Sequence, residues 1–126
     1  MTSPIAISEA ESHVMDVLWR AGRLPADEVA AALADAHQWQ EATVKTLLNR
    51  LLKKGAIDAE KEGRRFLYGA VLTREQWVGS ESTSMLERLF GGRVAPLVAH
   101  FSAQRKLSKA DVAELRRLID GMDDEH

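Results

Sequence analysis

Cysteine is absent from this chain. That excludes disulfides, thiolate metal centres and cysteine nucleophiles, and it fits a cytoplasmic setting. No apolar run approaches the roughly 20 residues of a membrane-spanning helix, so no membrane insertion is expected. The N-terminus, Met1-Thr-Ser-Pro-Ile5, has no basic stretch followed by an apolar one, and no signal peptide is legible. The four histidines, His13, His37, His100 and His126, stand far apart, with neither HExxH nor paired-ligand spacing. No GxSxG and no phosphate-cradling glycine-rich loop are present. The many carboxylates fall on amphipathic helix faces, where a solvated role is the default. His100 lies on an apolar helix, where packing or pH sensing suits it better than catalysis. These absences argue against an enzyme, and no metal or other cofactor is expected.

A large excess of one charge is also missing. The net charge is −2, but it is unevenly spread. Residues 1–42 sum to −5, residues 43–72 to +4, and residues 73–126 to −1. One basic segment inside an acidic protein points to a localised anion-binding surface. A solvated helix face beside a charged turn would give the same count.

What is present resolves into helices and one hairpin. Ser8-Glu-Ala-Glu11 is a capping box, and a first helix runs from it to about Arg20, with Ala10, Val14, Val17 and Leu18 on one side. Gly22 suits the left-handed end of that helix. Pro25 fits the first turn of a second helix, with Asp27 and Glu28 near its positive end and Ala36 near its close. After His37-Gln-Trp-Gln40, a third helix spans about Glu41 to Lys54, and Gly55 stops it. Val44, Leu47, Leu48, Leu51 and Leu52 fall at i, i+3, i+4, i+7 and i+8, one buried face. Ile57–Lys61 and Arg65–Ala70 read as strands around a turn at Glu62-Gly63-Arg64. Three short helices followed by a β-ribbon form a winged helix-turn-helix arrangement. Its usual extra strand would be the short piece near Arg23-Leu24.

From Thr73 the pattern changes. Thr73-Arg-Glu-Gln76 opens a fourth helix that runs through Trp77 and Met85 to Gly91-Gly92. A fifth carries Val94, Leu97, Val98 and Phe101. A sixth starts at Ser108-Lys-Ala-Asp111 and carries Val112, Leu115, Leu118, Ile119 and Met122. Three apolar stripes in about 50 residues are too few to close a good core alone. Pairing with a second copy would bury them; so would packing back on residues 1–72. The expected fold class is mainly α with a small β-wing. Residues 1–72 form a DNA-binding winged helix, and residues 73–126 a three-helix dimerisation domain.

The pieces Ile7–Glu11, Val14–Trp19, Thr43–Gly55, Leu86–Gly92 and Leu97–Phe101 lie in the order of a known family. The chain resembles the penicillinase-repressor and methicillin-resistance-repressor family (BlaI/MecI type), which also includes CopY repressors, over about residues 5–122. The resemblance implies a homodimeric transcriptional repressor on a palindromic double-stranded DNA operator. It implies a C-terminal helical dimerisation domain, and the apolar residues of those helices, Leu86, Leu89, Phe90, Val94, Leu97, Val98, Phe101, Val112, Leu115, Leu118, Ile119 and Met122, are the expected dimer interface. In well-known members a membrane metalloprotease sensor is coupled to repressor cleavage. The family's scissile bond corresponds to His100-Phe101, and many relatives carry Asn where this chain has His100. Copper-responsive relatives use paired cysteines, which this chain lacks.

Within the third helix, Lys45, Thr46 and Arg50 correspond to the family's operator-contacting positions. Arg50 can bind guanine bidentately or clamp a phosphate. Asn49 can read adenine, but its helical phase borders the core side. Thr43 is either a phosphate contact or a turn residue. Lys53 and Lys54 either face the DNA backbone or only solubilise. In the wing, Lys61, Arg64 and Arg65 surround Gly63, a basic tip suited to phosphate or minor-groove contact. Phe66 and Tyr68 share a strand face and read as core. Trp19 and Trp39 read as packing residues, although the Trp39 indole N–H can reach a phosphate. The alternative function is a winged-helix protein-interaction module without DNA.

Overall fold

The computed structural model describes residues 5–124. Met1–Pro4 and His126, which entered the signal-peptide and histidine readings, lie outside the described residues. Helix α1 spans Glu9–Ala21, α2 Ala26–His37 and α3 Glu41–Lys54. Strands β1 (Ile57–Glu62) and β2 (Arg65–Ala70) follow, then α4 (Arg74–Phe90), α5 (Val94–Ala103) and α6 (Lys109–Asp124).

The helix starts are set by local chemistry. The Ser8 hydroxyl accepts from the Glu11 amide at 3.1 Å, and Glu11 Oε1 accepts from the Ser8 amide at 2.7 Å. Thr73 with Gln76 and Ser108 with Asp111 repeat that reciprocal pair at α4 and α6. Pro25 stands one place earlier than the sequence suggests, as the residue capping α2. Gly55 ends α3 at φ 79°, and the amides of Gly55 and Ala56 turn back to the carbonyls of Leu52 and Leu51. Such a left-handed residue favours glycine, which has no Cβ to clash.

The hairpin is antiparallel, from Ile57 opposite Ala70 to Glu62 opposite Arg65, with a two-residue turn at Gly63-Arg64. Its base is tied down twice. Leu24 and Tyr68 exchange backbone hydrogen bonds of 3.1 and 2.8 Å, the short bridge expected near Arg23-Leu24. The amides of Val71 and Leu72 both donate to the Ala56 carbonyl. Three helices, this bridge and the ribbon make a winged helix-turn-helix fold.

Two compact units are present, Met1–Ser80 and Glu81–His126, and the division falls inside α4. The first has a continuous core of Val14, Met15, Leu18, Val29, Leu33, Val44, Leu48, Leu51, Ile57 and Leu72. Trp77, on the first turns of α4, packs against this core, its ring 5.6 Å from that of Trp19. The Trp19 indole donates to the Leu72 carbonyl at 2.9 Å. The second unit is helical, and none of its described residues is buried. Leu89, Val94, Phe101, Leu118, Ile119 and Met122 are exposed, while Leu86, Phe90, Leu97, Val98, Val112 and Leu115 are half-buried.

Candidate nucleic-acid interface

Helix α3 is split cleanly. Val44, Leu47, Leu48 and Leu51 are buried. Thr43, Lys45, Thr46, Asn49, Arg50 and Lys53 are exposed. Asn49 therefore belongs to the solvent face, a correction to its placement near the core side. The Thr46 hydroxyl donates to the Ala42 carbonyl at 3.0 Å. Lys45 leans on Glu41 one turn earlier, at 3.4 Å. Both side chains are more than half exposed, so this pair is weak and easily traded for another anion. Among the described residues, Arg50 and Lys53 have no carboxylate partner.

Lys54 is different. Its ammonium binds Glu11 Oε1 at 2.5 Å, and the Glu11 side chain is only 2% exposed. This pair joins the first turn of α1 to the last turn of α3. Burial works to raise the Glu11 pKa, but hydrogen bonds from Lys54 and Ser8, with the Lys54 charge, hold it below the usual carboxylate value. Glu11 shares the buried stripe of Val14, Met15 and Leu18, at i, i+3, i+4 and i+7. A carboxylate on an apolar stripe calls for a cation, and that was the legible signal for Lys54.

The wing supplies a second positive group. Lys61 and Arg64 are exposed and free of carboxylates among the described residues. Arg65 stands 3.6 Å from Glu62. The other two acidic residues of β1 are paired away from the tip. Asp58 and Glu60 lie 2.7 and 3.4 Å from Arg23, whose guanidinium lies over Gly69. A Cβ at Gly69 would sit 2.8 Å from Arg23 Cζ, so glycine makes room for this clamp. The sequence reading missed Arg23, because the loop residue and the strand carboxylates meet only through the Leu24–Tyr68 bridge.

Phe66 corrects another expectation. Tyr68 packs against the core, but Phe66 is 51% exposed. It pairs with Lys61 near the tip, where the hairpin has already left the core. Trp39 is half-buried and packs against the core just before α3. Its ring also stacks on His37, at 4.7 Å and 25°.

An exposed helix face carrying Lys, Thr, Asn and Arg can offer donors to base edges and phosphates, and an exposed basic ribbon tip can add phosphate contacts. The sequence pattern of the penicillinase repressor matches residues 7–121. The chain belongs to the penicillinase-repressor family. It is 33% identical to the penicillinase repressor of Bacillus licheniformis over 114 residues, 90% of this chain and 89% of the relative. It is 28% identical to the methicillin resistance regulatory protein MecI of Staphylococcus aureus strain N315, over 90% of this chain and 92% of that one. Among solved structures, the DNA-binding domain of the repressor BlaI matches with a TM-score of 0.54 and 37% identity, covering 60% of this chain and 93% of that one. The monomeric form of Bacillus licheniformis BlaI, solved in complex with the blaP half-operator, matches with a TM-score of 0.53, the same identity and the same coverage. These relatives are repressors, not enzymes. No helix among the described residues is long and apolar enough to cross a membrane.

Proposed function

We propose that this protein is a homodimeric transcriptional repressor of cytoplasmic location that binds a palindromic operator through α3 and the wing. The observation that carries the reading is the exposed Lys, Thr, Asn and Arg face of α3, opposite a fully buried one, in a winged fold whose hairpin tip is also exposed and basic. Lys45, Thr46, Asn49 and Arg50 are the side chains for base edges. Thr43 and Lys53 contact the backbone from the two ends of the helix, and Lys61, Arg64 and Arg65 grip phosphates or the minor groove. Lys54 serves chiefly to hold α3 through Glu11. The family relationship and the relative's half-operator complex support this assignment.

The second copy is argued from α4, α5 and α6. Seven of their large apolar side chains are exposed and none is buried among the described residues. A two-fold partner would cover them and pair two reading helices on one operator. In this reading the N-terminal domain reads DNA and the helices from Thr73 onward join the copies.

Release follows by proteolysis at His100-Phe101, by a membrane metalloprotease sensor. That bond lies inside α5, whose first turn has no side-chain cap and which buries no residue. A protease needs an extended strand, so this helix must open first, against only the packing that the second copy supplies.

The test is a binding titration against the DNA upstream of the protein's own transcription unit. Arg50→Ala should lose operator affinity by roughly 5- to 150-fold, since a bidentate contact is worth about 1–3 kcal/mol. Lys109→Ala, at the start of α6, should change it little. Equal small effects would overturn the α3 assignment, and no binding at low salt would favour a protein-interaction module.

A further inference from the structure

The histidines that look unrelated in sequence include one pair that the fold brings together. His13 lies midway along α1, and His37 is the last residue of α2. Their ring centroids are 4.2 Å apart, tilted by 44°. Both are half-buried. Trp39 stacks on His37 and meets His13 edge-on at 5.9 Å. The residue between His37 and Trp39 is Gln38, at φ 56°. A left-handed glutamine costs roughly 1 kcal/mol or more, yet it is what lets His37 and Trp39 fold over one another. Glu9 and Asp16 flank His13 at i−4 and i+3, on the same side of α1.

We propose that His13 and His37 form a two-imidazole site for a late first-row divalent cation such as Zn²⁺ or Ni²⁺, and that its occupancy displaces His37 from Trp39. Imidazole is the common ligand of these ions, and neighbouring carboxylates add favourable charge. No group of three or more histidines and carboxylates forms among the described residues, so water completes the coordination. Metal–nitrogen bonds of about 2.0–2.1 Å at a tetrahedral angle put two ring centres roughly 5 Å apart. The observed 4.2 Å is shorter, so a tetrahedral ion such as Zn²⁺ must part the rings, more than an ion with right-angle ligation such as Ni²⁺ would. His37 is held by the same turn as Trp39, and only Gln40 separates Trp39 from α3. Ligation thus acts at the start of α3. Its consequence for operator affinity rests on the DNA reading proposed above; the site itself does not.

The experiment titrates untagged full-length protein with Zn²⁺ and with Ni²⁺ at pH 7.5, by calorimetry and by tryptophan fluorescence. The expected result is one saturable site per chain and a fluorescence change that Trp39→Phe abolishes while calorimetric binding remains. Groups that merely support a metal ligand are worth roughly 10–100-fold, so losing a ligand should weaken binding by at least about tenfold. His37→Phe keeps a ring to stack on Trp39 and removes the nitrogens, so its loss of binding cannot be blamed on unfolding. His13→Ala should behave likewise, and His100→Ala should bind as the parent does. A flat calorimetric trace, or unchanged affinity in His37→Phe, would overturn the site. Binding with no change in Trp39 fluorescence would overturn the displacement. Operator binding without metal is measured in parallel, so failure of the DNA reading shows separately.

Discussion

The two units of this chain use apolar residues in opposite ways. In Met1–Ser80 the stripes of α1, α2 and α3 converge, and Val14, Met15, Val29, Val44 and Leu51 reach 0% exposure. In Glu81–His126 stripes of the same periodicity bury nothing fully, and Ile119 and Met122 stand 56% and 59% exposed. Periodicity alone therefore says that a helix has a face to hide, not where it will be hidden. The first unit hides its faces within one chain. The second offers its faces to something else, and a second copy is the partner we propose.

The largest expected effect separates these two kinds of residue. Leu48 is 1% exposed at the centre of α3, and Leu48→Ala should cost about 2–5 kcal/mol of stability, as cavities in closed cores do. Leu118→Ala removes a side chain that is 55% exposed in the single chain. Urea unfolding of dilute protein should show a large fall in midpoint for the first and little for the second. A Leu118→Ala loss as large as that of Leu48→Ala would mean that α6 is closed within one chain.

Next comes the coupling between the units. Ile119→Asp combined with Met122→Asp puts two charges on the proposed joining face. Sedimentation should show a monomer, while the circular dichroism of the first unit persists. A dimer making roughly 6–10 phosphate contacts has a log–log salt slope on the order of −5 to −9, and the monomeric variant should show about half. An unchanged slope would break the idea that two reading helices act together.

How far the sequence carried depends on the range of the forces involved. The bounds of α3, the three reciprocal caps and the register-setting turn were legible because each rests on neighbours a few residues apart. The apolar face of α3 was legible for the same reason. Arg23 over Gly69 and His13 against His37 were not, since each joins side chains from separate elements and nothing local marks their meeting; for Lys54 on Glu11 the apolar stripe marks the need for a cation but not which one. Phe66 was misplaced because strand alternation assigns a face but does not say where along the ribbon the core ends. The exposed basic set of α3 was legible as a face. That Lys54 leaves this set for Glu11 required the packed structure.

Glu11 gives the next effect and its pH dependence. Its pKa is lowered in the folded protein, because hydrogen bonds and the Lys54 charge outweigh the opposing effect of burial. The stabilisation is therefore present above the ordinary carboxylate value and is lost as pH falls through the lowered one. Glu11→Gln keeps an oxygen for the Ser8 amide but loses the charged bond, at a cost of about 1.5–3 kcal/mol near neutral pH. Melting curves of the two proteins should converge as the pH is brought down into the acid range. A constant gap would mean that the pair contributes only shape.

The smallest effect tests the stop of α3 by itself. Gly55 sits at φ 79° with nothing within 4 Å of where a Cβ would point. Gly55→Ala therefore meets no clash and feels only the strain of a left-handed alanine, roughly 1–2 kcal/mol, partly offset by the lower entropy of the unfolded chain. The measured loss should be near 1 kcal/mol, with operator affinity unchanged in the folded fraction. A larger fall in affinity than in stability would show that the Gly55 turn, and not only the Glu11–Lys54 pair, fixes the angle at which α3 meets DNA.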